Sequence, residues 1–131
     1  MPETVNWTIN VQVPTGPRVA QSGALQVDAY DKVEVSVADG VDDLEVQLQP
    51  GGAGQVQLLV ISTTRTSDDL SYKVNDAGAD PITLDQPVHA YFGAGPVGLL
   101  DPAAGPNTLF FTNASGGPAT VQVLVGRKAI P

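Results

Sequence analysis

The chain has 131 residues, 42% of them hydrophobic and 15% charged, with no cysteine and a net charge of −8. A length of this order buries a core without disulfide or metal staples, so residues 1–131 read as a single domain. Without cysteine there is no disulfide framework or thiolate metal centre, and the acidic balance argues against nucleic acid and anionic lipid as partners.

The opening residues, MPETVNWTIN, lack the basic and apolar regions of a signal peptide, so a protein made in the cytoplasm is expected, either kept inside the cell or leaving it by another route. No apolar stretch approaches the roughly 20 residues of a membrane helix. From Thr4 to Val13 the residues alternate: Val5, Trp7, Ile9, Val11 and Val13 are apolar, and Asn6, Thr8, Asn10 and Gln12 are polar. A period of two is that of a strand with one apolar and one polar face. Pro14, Gly16 and Pro17 then break the run with a turn.

Similar signals recur along the chain. Leu25 and Val27 precede the alternating KVEVSV, and the turn ADGVDD precedes Leu44, Val46 and Leu48. QPGGAGQ turns the chain into VQLLVIS, whose continuous apolar run from Leu58 to Ile61 predicts a central strand covered on both faces. Further strands are predicted around Leu70–Val74, Ile82–Leu84, Val88–Phe92, TLFFTN and TVQVLVG. About nine or ten short strands joined by Gly/Pro-rich loops, with no helical periodicity, predict an all-β antiparallel sandwich or barrel, the jelly roll being one such sandwich.

Gly93-Ala94-Gly95-Pro96-Val97-Gly98 satisfies G-x-G-x-x-G, the spacing of a dinucleotide-binding fingerprint. That motif needs a following helix whose N-terminus faces the pyrophosphate. Pro102, Gly105 and Pro106 forbid one here, and no acidic residue follows Asp101 to hold a ribose. The stretch is therefore read as a long, nearly uncharged loop. Its apolar residues Val97, Leu99 and Leu100 either fold back as a lid over the sandwich or, with Tyr91, form an interface to another subunit.

Chemistry-bearing groups are sparse. The single histidine, His89, lies within an apolar run and reads as a strand residue rather than a catalytic base. Asp39, Asp42, Asp43, Asp76 and Asp80 cluster in turns, where Asp commonly bonds nearby backbone. They are also the candidate ligands for calcium, although none matches the Ca-loop spacing. Trp7 shares its face with Val5 and Ile9, which favours packing over sugar stacking; Tyr30 and Tyr91 are the aromatic residues expected to be exposed. Asn6-Trp7-Thr8 and Asn113-Ala114-Ser115 match the glycosylation pattern.

These features point to a non-enzymatic assembly module that forms a homo-oligomer or coats a larger particle, with a virion-surface subunit as one form. No cofactor is expected beyond the calcium option. A carbohydrate-binding module using the loop aspartates, and calcium with them, is the alternative.

Overall fold

The computed structural model describes residues 3–48, 56–93, 97, 99–100 and 106–128. Among the described residues ten strands follow in chain order: β1 (Glu3–Gln12), β2 (Arg18–Val27), β3 (Ala29–Val37), β4 (Leu44–Gln47) and β5 (Val56–Thr63), then β6 (Leu70–Val74), β7 (Ile82–Thr83), β8 (Val88–Phe92), β9 (Thr108–Asn113) and β10 (Ala119–Arg127). All described pairings are antiparallel.

Two four-stranded sheets, ordered β3-β10-β5-β8 and β4-β9-β6-β7, form the body. The partners β3 with β10, β4 with β9, β5 with β8, and β6 with β7 are nested like one long hairpin. Rolling such a hairpin so that alternate pairs fall in opposite sheets gives jelly-roll topology. The fold is thus the all-β sandwich that the alternating pattern predicts.

The core lies between the sheets because alternate residues of each strand point inward. Val37, Leu59, Ile61, Val121, Val123 and Val125 from the first sheet meet Val46, Leu70, Tyr72, Val74, Leu109 and Phe111 from the second. Burying each such side chain contributes roughly 1.5–3 kcal/mol before chain entropy is counted. At the end of β5 the register slips: Gly126 faces Leu58, but Arg127 faces Val56, which leaves Gln57 as the extra residue. This bulge reverses the inside–outside phase, so that even-numbered Val56 joins odd-numbered Leu59 and Ile61 in the core.

β5 is central in its sheet, as its apolar run implies, but its outer face is covered unevenly. Leu58 is buried on that face while Val60 is half-exposed. The cover over Leu58 comes from outside the sandwich.

Candidate functional site

β1 and β2 form a two-stranded ribbon separate from both body sheets, paired in unbroken register from Glu3↔Val27 to Gln12↔Arg18. A turn closes its tip, with Gly16 N–H donating to Val13 O at 2.9 Å. Pro14 occupies the turn position where its fixed φ is favourable. Only Asp28 separates β2 from β3, so the ribbon is rooted directly in the body as an arm.

Residues directly opposed in the ladder share a face. Val5, Trp7, Ile9 and Val11 therefore stand beside Leu25, Gly23, Gln21 and Val19. The base of this face packs on the body. The Trp7 indole stacks on Phe92 of β8, with centroids 4.9 Å and planes 20° apart. Gly23 supplies the room, since a Cβ there would meet Trp7 Cζ2 at 2.6 Å. Val27 lies over Gly126, whose own Cβ would meet Val27 Cγ1 at 3.0 Å and Leu58 Cβ at 3.5 Å. Trp7, Phe92, Leu58 and Val27 thus make a small second core outside the sandwich.

Towards the tip that cover ends. Val11, Val13 and Val19 are 59%, 50% and 60% exposed, although they continue the apolar face. A shallow groove of about 280 Å³ opens at the base of the arm, lined by Glu3, Thr4, Val5, Tyr30 and Leu124. Thr4 and Val5 point to opposite faces, so a groove touching both runs along the edge of β1. That edge has no strand partner among the described residues.

The loop residues singled out in the sequence divide. Val97 is buried in the main core, Leu100 packs against it half-buried, and Leu99 is 82% exposed. Residues 94–96, 98 and 101–105 of that loop lie outside the described residues. Tyr30 is exposed, whereas Tyr91 is half-buried and turned towards the second sheet.

Tyr91 belongs to a polar cluster between the sheets. The Tyr72 hydroxyl of β6 lies 2.9 Å from the Tyr91 hydroxyl and 3.0 Å from His89 Nδ1, both on β8. His89 Nε2 lies 3.8 Å from Asp85 Oδ1. Burial, together with the hydrogen bond and charge of Tyr91, pushes the Tyr72 phenol above its usual range. Tyr72 is fully buried, so the cluster's chemistry is to satisfy a hydroxyl inside the core and tie the two sheets together.

The aspartates hold turns. Asp39 Oδ1 accepts from Gly116 N at 2.9 Å, and Asp76 Oδ1 from Gly78 N at 2.8 Å. Asp42 Oδ1 accepts from the Thr112 hydroxyl at 3.1 Å, while Asp43 pairs with Lys73 at 3.1 Å. Asp80 is exposed after the Asp76 turn. Among the described residues no three His, Asp or Glu side chains come together as a metal-binding group.

The Asn113 pattern has a structural use. Its buried amide donates from Nδ2 to Val37 O and Gly117 O, both at 2.9 Å, and its Oδ1 accepts from Ser115 N and Oγ at 3.0 and 2.6 Å. Arg65 clamps the same turn, donating from Nε to Ser115 Oγ at 2.7 Å and from a guanidinium nitrogen to Ser115 O at 2.9 Å. The folded state therefore hides Asn113 from a modifying enzyme.

No protein-family model, curated protein or solved structure matches this chain.

Proposed function

We propose that this protein is a non-enzymatic assembly module: a jelly-roll body that joins further copies of itself through the β1–β2 arm. The observation that carries this reading is the apolar face of the arm, anchored at Trp7 and left exposed at Val11, Val13 and Val19. Exposed apolar surface on a projecting ribbon is costly in water and favours association. An unshielded strand edge favours it further.

The non-enzymatic part of the reading is supported by what surrounds the single histidine. His89 is engaged with Tyr72 inside the sandwich and lies beside the half-buried Tyr91. Jelly rolls recur in capsid shells and lectins, which brings in a coat or decoration subunit on a virion surface by analogy of fold alone.

Light scattering over a concentration series tests the proposal. A mass rising above that of one chain is the expected result. A single-chain mass at every concentration would overturn it.

A further inference from the structure

Resting on that assembly reading, we infer that the partner of the arm is the arm of a second copy. Two β1 edges pair antiparallel about a two-fold axis at Thr8, and each tip lies in the groove at the other's base.

The charge distribution identifies the second copy as the occupant. All 14 acidic residues lie outside the stretch from Thr4 to Val27, which carries Arg18 as its single charge. Two copies of a chain with net charge −8 repel each other most where their bodies approach. The arms are where two copies meet without opposing carboxylates, and each acidic body attracts the Arg18-bearing tip of the other.

Edge chemistry then favours β1 over the edges of β2 and β3, its neighbours in the chain. Strand edges are normally blunted by charge, proline or bulges. β3 has Asp31, Lys32 and Glu34, and β2 has Arg18 with Gly23 in its interior. β1 has none of these devices from Thr4 to Gln12, and its ladder with β2 is regular throughout.

Register follows from the period of two. Apolar residues share a face across the new pairing only if the numbers of opposed residues sum to an even value. Centring on Thr8 opposes Trp7 to Ile9, Val5 to Val11 and Glu3 to Val13 of the other copy. The exposed valines at one tip then arrive beside Glu3, Thr4 and Val5 of the other, at the groove those residues form with Tyr30 and Leu124. The contact is self-complementary, as a two-fold interface requires. One geometry thus brings Val11 and Val13 against the other copy, fills the groove and pairs the open edge.

The absence of native cysteine gives a clean test, because single introduced thiols report on one contact each. Opposed strand residues lie within disulfide range. Thr8→Cys is expected to form a reducible, disulfide-linked dimer under mild oxidation. Ser22→Cys, opposite Thr8 on the same arm but on the far strand, is expected to stay single-chain. Both substitutions lie on the exposed polar face, so folding is retained and is checked by circular dichroism. If the unmodified protein associates but Ser22→Cys links as well as Thr8→Cys, or neither links, the arm-to-arm pairing is overturned while the assembly reading stands. If the unmodified protein stays a single chain, both fall.

Discussion

The indole of Trp7 lies stacked on the ring of Phe92, joining the base of the arm to an edge strand of the body. Because Trp7 is the single tryptophan, its fluorescence reports the docking of the arm alone. Phe92→Ala should shift its emission to longer wavelength with the β-sheet circular dichroism retained. The lost stacking and packing should cost about 2 kcal/mol in urea denaturation.

Gly23 is required by the same contact. A methyl group there would stand 2.6 Å from Trp7 Cζ2, so the indole must move. Gly23→Ala should displace the ring, change the fluorescence in the same direction as Phe92→Ala, and destabilise the fold by roughly 1–3 kcal/mol. Gly78→Ala, at a turn where the new Cβ would have ordinary contact, serves as the control for glycine replacement in general.

Tyr72 gives the protein an alkaline limit. Its phenol is raised above the usual value of 10.0 in the folded state. Below about pH 10 the group is protonated in both states and its titration does not alter stability. Above that, the unfolded chain releases the proton while the folded chain retains it. The unfolded state then binds fewer protons, and stability falls as pH rises. Tyr72→Phe should cost about 1–2 kcal/mol at neutral pH, by leaving Tyr91 and His89 without their inner partner. It should also flatten the loss of stability above pH 10, as read from urea midpoints at pH 8 and pH 11.

Asn113 satisfies four polar groups from a position with no solvent access. Asn113→Ala removes the amide that bonds Val37 O and Ser115 N, leaving Gly117 O with the Ser115 hydroxyl as its side-chain donor, and should cost about 3 kcal/mol, lowering the melting temperature by more than ten degrees. Asn6→Ala, in the other glycosylation pattern but on the exposed face of β1, should leave the melting temperature unchanged.

The architecture was legible because period-two alternation specifies strands and short connections specify antiparallel pairing. Thr4–Val13 shows the limit of that signal. Its alternation marks an apolar face without saying what covers it, and the structure covers Trp7 but leaves Val11 and Val13 exposed. β2 is harder to read because Gly23 and Gln21 occupy its apolar-face positions. Gly23 is there to admit an indole sixteen positions earlier in the chain, a constraint that no local pattern carries. The arm as a separate element was missed for that reason. The bulge at Gln57, the buried role of Asn113 and the half-buried place of Tyr91 likewise depend on partners distant in sequence.

Among the loop residues, Val97 and Leu100 fold onto the core and Leu99 does not. Apolar character alone could not separate them, since all three lie within four positions. The aspartates read as turn residues because their spacing matches no metal loop. The structure shows the groups that Asp39, Asp42, Asp43 and Asp76 engage: Gly116, Thr112, Lys73 and Gly78.

Sedimentation equilibrium of the unmodified chain beside a Val11→Asp/Val19→Asp variant tests the assembly role of the arm most directly. Both valines are exposed in the single chain, so the body should fold as before. The unmodified protein should sediment as a multiple of the chain mass, and the variant as a single chain. Equal association of the two, or a single chain in both, would contradict the account.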